Sequence, residues 1–144
     1  MIQIILLGML GFYAVEDIRK KKISAGYLCI FAAAGIGIHV INRDMSATGM
    51  LLGAAVGLGL VVVSLLTRGS VGLGDGFLMA TAGIFLGGSA SLTLLMTSLL
   101  YAALFSLAMV AIRKWKRKRE IPFVPFLFLG YLTLALGELF LGSV

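Results

Sequence analysis

Carboxylates are scarce in this sequence, and two of them stand where they could do chemistry together. Of 144 residues, only six are Asp or Glu. Asp17 closes the first apolar stretch and Asp75 precedes the fourth. Two carboxylates that approach closely cannot both ionise, so they share a proton near neutral pH. One can then act as general base on a water while the other polarises a carbonyl, which is the chemistry of aspartic peptidases.

Of the four remaining acidic residues, only Glu16 is an alternative to a member of this pair. Glu16 is the direct rival of Asp17, because adjacent residues on a helix point about 100° apart and only one can face the fourth stretch. The residues alone do not choose between them. Asp44 is interpreted as a solvated loop residue, Glu120 as a carboxylate at a helix N-terminus, and Glu138 as a residue near the outer end of the last stretch.

Three glycines surround Asp75. Gly72, Gly74 and Gly76 permit backbone conformations closed to other residues and leave room for a substrate backbone beside the carboxylate. The structural alternative is a flexible loop in which Asp75 is only the N-cap of the fourth helix. The spacing leaves both interpretations open.

The composition indicates that membrane-spanning helices position these acidic residues and glycines. The chain is 60% hydrophobic and 12% charged, with a mean hydropathy of +1.10. A water-soluble globule of this composition would expose large apolar patches. A helix needs roughly 20 apolar residues to cross a bilayer, so the length allows about six crossings in one all-α domain, residues 1–144. Six spans are predicted: residues 2–15, 25–41, 47–66, 77–86, 92–112 and 121–141.

The basic residues predict an orientation. Of the twelve Lys and Arg residues, every one except Arg43 lies in the first, third or fifth loop. The positive-inside rule makes these loops cytoplasmic and puts both termini outside, with Asp17 and Asp75 at the cytoplasmic ends of their helices. Membrane topology therefore explains the net charge of +6 better than nucleic-acid binding does.

Other reactive side chains are few. Because Cys29 is the one cysteine, no intrachain disulfide and no multi-cysteine metal site is expected. Cys29 itself is interpreted as a buried apolar residue. His39, the one histidine, is interpreted as an interfacial residue because no second histidine could join it as a ligand. The chemistry considered above needs neither cofactor nor metal.

Three short stretches stand near the two ends and in the middle of the chain. Residues 17–24 read DIRKKKIS, residues 72–75 read GLGD, and residues 121–126 read IPFVPF. In this order they resemble motifs of the type IV prepilin peptidases, which are membrane aspartic peptidases: an Asp with a basic run, Gly-x-Gly-Asp, and Ile-Pro-Phe-x-Pro-Phe.

The resemblance implies an aspartic endopeptidase of a prokaryotic inner membrane that cleaves the leader of prepilin-like proteins at the cytoplasmic face. It implies Asp17 and Asp75 as the catalytic pair, settling the choice against Glu16. Gly72, Gly74 and Gly76 would shape the site or bind substrate. The partners would be a prepilin or pseudopilin and membrane lipid, and the substrate's apolar segment would lie against the small-residue faces of spans three and four.

The chain departs from the family pattern in three ways. Ser24 and Ala25 stand where Pro-Asn is common, and Phe77 stands where many members have Lys. The 144 residues are not expected to include a methyltransferase domain, so the resemblance is to short, peptidase-only members such as those of the Flp/Tad type.

Two other functions remain open: a small transporter with Asp17 and Asp75 on a proton or cation path, and an inactive relative that binds pilins as an assembly factor. The sequence gives neither the oligomeric state nor the identity of the pilin.

Overall fold

The computed structural model describes residues 2–20, 23–68, 72–112 and 121–142, and all of its regular structure is helical. Six helices follow one another: α1 Ile2–Lys20, α2 Ala25–Asn42, α3 Ala47–Leu66, α4 Leu73–Leu86, α5 Gly88–Ala111 and α6 Val124–Leu141. The described residues contain no strand. The predicted all-α class and the number of helices are thus confirmed. Most of the basic residues of the predicted cytoplasmic loops, including residues 113–119, lie outside the described ranges.

Four of the six helices, α2, α3, α5 and α6, are long and apolar enough to cross a bilayer. Their outward side chains are apolar, as Ile41 at 81% exposure and Leu107 at 68% illustrate. A bundle with so much apolar surface is stable only in a lipid environment, since soluble proteins rarely expose such patches. The protein is therefore a multi-pass membrane protein. The 14-residue α4 is a shorter apolar helix, and α1 carries charged residues in its last turns.

Several predicted boundaries were wrong by a few residues. The Gly-rich stretch before Phe77 is helical from Leu73 onward, so α4 includes Asp75. The predicted polar turn at residues 87–91 is reduced to Gly87, whose φ of +79° lets the chain reverse between α4 and α5. The last helix begins at Val124, three residues later than predicted, and α1 runs on to Lys20.

Helix α4 packs most extensively against α3, through glycines on both helices. A Cβ atom added at Gly53 would overlap the Gly83 backbone, and one at Gly57 would overlap the Ala80 backbone. These small residues bring the two backbones into direct contact, as small faces do between membrane helices. Gly53 and Gly57 are therefore covered by α4 and do not face a substrate, whereas Ala55 and Gly59 on the same helix are exposed. For these open positions the expectation that the small-residue faces receive the substrate stays a prediction.

The buried core lies between α1, α4 and α6, with contributions from α2 and α5. Its fully buried side chains include Leu6, Leu10, Leu78, Leu94 and Leu127. Helices α1 and α6 are antiparallel. At one end Gln3 Nε2 donates to Glu138 Oε2 (2.8 Å), and at the other Asp17 contacts Val124. We call the second of these ends the acidic end.

Two predictions about single residues were wrong. Cys29 is exposed on α2, on the apolar surface of the bundle. His39 is buried instead of interfacial, with 3% exposure, and its Nε2 lies 3.3 Å from the Phe85 carbonyl oxygen. That carbonyl is in the last turn of α4, where helix carbonyls lack intrahelical donors. His39 thus provides a hydrogen-bond donor for a carbonyl at the end of α4 inside the bundle.

Candidate active site

Asp17 lies in the last turn of α1, and its side chain is turned into the bundle. It is 8% exposed, and its Oδ2 accepts a hydrogen bond from the backbone N–H of Val124 (3.3 Å). Val124 is the first residue of α6 and is fully buried. A buried carboxylate is retained where hydrogen bonds compensate for its lost hydration. Contact with the start of α6 provides part of that compensation.

Glu16, the rival of Asp17, points elsewhere. Its Oε1 accepts a hydrogen bond from the Ser24 hydroxyl (2.8 Å), and its Oε2 lies 3.5 Å from the Ser24 backbone nitrogen. Lys20 Nζ lies 3.9 Å from the same carboxylate, one turn along α1. Ser24 is the N-cap residue of α2, so Glu16 fastens the α1–α2 connection. Because adjacent helix positions point about 100° apart, Glu16 faces the α1–α2 connection while Asp17 faces the interior of the bundle.

Asp75 lies in the first turn of α4, ahead of the continuous apolar stretch that begins at Phe77, and is partly buried. The N-cap of α4 is Gly72, and α4 has no side-chain capping bond at this end. The alternative interpretation of Asp75 as the N-cap residue is therefore wrong. Its carboxylate is held by the first turn of a helix, not by a flexible loop.

The two aspartates interact electrostatically. Burial raises the pKa of Asp75, and the negative charge of Asp17 raises it further, to about 7 against an ordinary value of 3.8. A carboxyl with this pKa is protonated about half of the time at neutral pH. The acidic end can therefore hold one proton on a pair of carboxylates, which is the state that acid–base catalysis by two carboxylates requires.

The three glycines of the Asp75 region have different neighbours. A Cβ at Gly72 would lie 2.8 Å from Asp75 Oδ2, so the missing side chain leaves space for the carboxylate itself. Gly74 faces Ile23 of the α1–α2 connection, with a virtual Cβ 3.0 Å from Ile23 Cδ1. A Cβ at Gly76 would lie 2.9 Å from the Val61 backbone nitrogen on α3. Gly72 thus adjoins the candidate site, whereas Gly76 belongs to the contact between α3 and α4.

Sequence reasoning missed the contribution of α6. The segment at residues 121–126 was interpreted as a helix start, and the structure shows that its first helical amide contacts Asp17. A signal was present in the sequence, because proline is favoured in the first turn of a helix and Pro125 therefore marks where α6 begins. The amide just before it is an unpaired donor for which an acceptor had to be found.

The structure offers little else with which to do chemistry. Among the described residues, no three His, Cys, Asp or Glu side chains are grouped closely enough to hold a metal ion. A cavity of about 340 Å³ lies at the other end of the bundle, lined by Gln3, Tyr131 and Glu138 among mainly apolar residues. It is remote from Asp17 and Asp75, which lie in the end turns of α1 and α4 at the opposite end of the bundle.

An all-helical membrane bundle with two interacting aspartates at one end defines the class of protein, and comparison with known proteins gives the family. Residues 4–111 match the type IV leader peptidase family, so the chain belongs to that family. It is 31% identical over 128 residues to a prepilin leader peptidase/N-methyltransferase of Bacillus subtilis (strain 168). This match covers 88% of the chain but 52% of the relative, so the chain spans about half of that protein. No solved structure matches the chain significantly.

Proposed function

We propose that the protein is an aspartic endopeptidase that removes the leader of type IV prepilin-like proteins, with Asp17 and Asp75 as its catalytic pair. The observation that carries this proposal is the placement of two carboxylates from separate helices, α1 and α4, at one end of the bundle, where the charge of one raises the pKa of the other. The family supports the class of reaction, and the name of the Bacillus subtilis relative supports the prepilin substrate.

The reaction follows from one proton shared by two carboxylates. The ionised member takes a proton from a water whose oxygen bonds to the scissile carbonyl carbon, while the protonated member gives its proton to the carbonyl oxygen. When the C–N bond of the resulting gem-diol breaks, the first carboxyl protonates the leaving amine and the second recovers a proton from the gem-diol. Both carboxyls end in their starting states, so one pair serves every turnover.

We place this reaction at the cytoplasmic face of a prokaryotic inner membrane. Arg19 and Lys20 in the last turn of α1, together with the connections that follow α1, α3 and α5 in sequence, account for all basic residues of the chain except Arg43. This distribution favours the acidic end as the cytoplasmic one. Both termini would then lie outside. The exposed apolar side chains of α2, α3 and α5 would contact lipid.

The two alternative functions lack a supporting observation. A proton or cation path would need acidic or polar groups at intervals through the bundle. Among the described residues, Asp17 and Asp75 lie together at one end and Glu138 lies at the other. The buried hydroxyls of Thr81 and Ser98 between these ends donate to the backbones of their own helices. An inactive pilin-binding relative would not need an acidic pair that holds a proton near neutral pH. Phe77, where Lys is common, is half-exposed and leaves Asp75 in place.

The test is cleavage of a candidate prepilin from the same genome, co-expressed with the wild type, Asp17→Asn or Asp75→Asn. We expect the wild type to shorten the substrate and each variant to lose about 10³-fold or more in rate at equal membrane abundance, as is usual for catalytic acid–base residues. Glu16→Gln is the matched control next to Asp17 and should retain cleavage. If all four proteins cleave alike, Asp17 and Asp75 are not the catalytic pair, and if the wild type does not cleave, the peptidase assignment fails.

A further inference from the structure

The start of α6 donates directly to one of the two candidate catalytic carboxylates. The Val124 N–H lies 3.3 Å from Asp17 Oδ2, and both residues are buried, at 0% and 8% exposure. Water competes poorly for a hydrogen bond in such a place, so the bond contributes more than it would at a surface. Asp17 and Val124 are 107 positions apart in sequence, so the contact joins the first helix to the last.

This amide is available because of the way α6 begins. The N–H groups of Phe126 and Leu127 both donate to the Phe123 carbonyl, at 2.9 Å and 3.2 Å, and Pro125 has no N–H. The first amides of a helix lack intrahelical acceptors, so the Val124 N–H needs an acceptor from elsewhere. Asp17 of α1 supplies it.

We propose that the Val124 N–H keeps Asp17 as the ionised member of the acidic pair, so that Asp17 is the general base and Asp75 the general acid. This inference rests on the proposed peptidase function. A hydrogen bond donated to the charged form of a carboxyl favours that form. The shared proton then stays on Asp75, and the water loses its proton to Asp17.

Helix dipoles alone would not separate the two carboxyls. Asp17 meets the N-terminus of α6, and Asp75 lies in the first turn of α4, so each is near the positive end of a helix. The difference is the direct bond, since among the described residues no backbone amide donates to Asp75. Val124 is thus a positioning residue that acts through its backbone.

Other ionisable groups around the acidic end do not provide the same bias. On α1, Glu16 is engaged with Ser24 and Lys20 with Glu16, while Arg19 is exposed. Tyr13 donates its hydroxyl to the Ser24 carbonyl (3.2 Å). Tyr27 and Cys29 are exposed on α2, Arg68 follows α3 and is exposed, and the described start of α6 has no ionisable side chain.

The test replaces Val124 by its α-hydroxy acid analogue, 2-hydroxy-3-methylbutanoic acid, introduced by nonsense suppression. The resulting ester keeps the side chain and removes only the N–H. Removing a hydrogen bond to a charged group should raise the pKa of Asp17, so we expect the acid limb of the pH profile of kcat/KM to move up by about one to two pH units.

The matched control is the corresponding ester at Phe126. It removes an N–H that donates to the Phe123 carbonyl and does not contact Asp17. It therefore controls for the weaker hydrogen bonding at Phe123 that the ester carbonyl of the Val124 variant also causes. We expect its acid limb to coincide with that of the wild type. An unshifted limb in an active Val124 ester would overturn the inference while the peptidase function stands. Loss of the function itself would instead show as a wild type that does not cleave.

A second measurement covers the case in which the esters do not accumulate. Infrared difference spectra at about pH 5 distinguish a protonated from an ionised carboxyl in wild type, Asp17→Asn and Asp75→Asn. The inference predicts that the buried protonated-carboxyl band is lost in Asp75→Asn and kept in Asp17→Asn. The opposite pattern would place the proton on Asp17 and overturn it.

Discussion

Helix α4 meets α3 and α1 in opposite ways. Against α3 the contact is made by backbones, with Gly53 on Gly83 and Gly57 on Ala80, and no side chain would fit between them. Against α1 the contact is slight, and it matters because of the charges on Asp17 and Asp75. The contact with α3 determines where α4 lies. In that position, the first turn of α4 places the Asp75 carboxylate near Asp17.

The difference explains why glycines so close in sequence have different roles. Gly76 is a helix-packing residue that faces Val61, whereas Gly72, one turn earlier, leaves space for the Asp75 carboxylate. A short helix that buries few side chains at one end must be positioned by contacts along the rest of its length. The contact with α3 positions α4 in this way.

Breaking the α3 contact should have the largest effect. In Gly57→Ala, the new methyl would overlap the Ala80 backbone, so the helices must separate. We expect a destabilisation of about 3 kcal/mol or more, because backbone cannot yield as a side chain can, and loss of activity with the folded protein. Thermal unfolding in detergent and membrane abundance report this. Gly59→Ala is the control on the same helix, with no atom within 4 Å of the added carbon, and should be as stable as the wild type.

Changing Gly72 should separate activity from stability. Gly72 has φ −63° and ψ 128°, which alanine tolerates, but its Cβ would press on Asp75 Oδ2. The carboxylate must rotate, and a misplacement of about 1 Å can cost 10²-fold in rate. We expect kcat to fall about 10- to 100-fold with thermal stability unchanged. Gly26→Ala, which meets nothing within 4 Å near the start of α2, is the control. Equal losses in the two variants would contradict this role for Gly72.

The pH dependence should reflect the acidic pair directly. Burial and the charge of Asp17 raise the pKa of Asp75 to about 7. Catalysis needs the shared proton, so kcat/KM should be highest below this value and fall about tenfold per pH unit well above it. Because the native state binds this proton more tightly than the unfolded chain, stability should fall as pH rises from 3.8 toward 7. A flat rate between pH 6 and 9 would contradict this assignment of the shared proton.

The smallest effect is expected at Glu16. Glu16→Gln keeps a side chain that can accept from Ser24 but loses the charge near Lys20. That ion pair is long, at 3.9 Å, and its Lys20 side chain is 72% exposed, so it has little energetic value. We expect cleavage within about threefold of the wild type and a stability change below ~1 kcal/mol. A loss as large as that in Asp17→Asn would move the catalytic role to Glu16 and break the distinction between the two adjacent acids.

Much of the fold was predictable because it follows from composition. Apolar runs of bilayer length can only be helices, so the class and the number of helices followed from residue counts, and α3 was placed at its observed bounds. Boundaries set by glycine were harder. Gly-rich stretches predict turns, yet residues 73–76 and 88–91 are helical, since contact with α3 holds them in place.

The candidate site was predictable in its acids and not in its surroundings. Asp17 and Asp75 stand out because acidic residues are rare here, but only a resemblance to known motifs preferred Asp17 over Glu16. Ser24 as the partner of Glu16 and Val124 as the partner of Asp17 depend on contacts between separate segments. His39 and Cys29 were misplaced for the same reason, since the sequence does not show which face of α2 turns inward.

The central claim is that Asp17 and Asp75 act as one unit, and a double-mutant cycle tests it most directly. Single-turnover cleavage of a prepilin in enzyme excess would compare Asp17→Asn, Asp75→Asn and the double variant. Residues that act as a unit show non-additive losses. We predict that all three variants share one residual rate within about threefold. If the double variant instead loses the product of the two single losses, the aspartates act independently and the account of a shared proton is wrong.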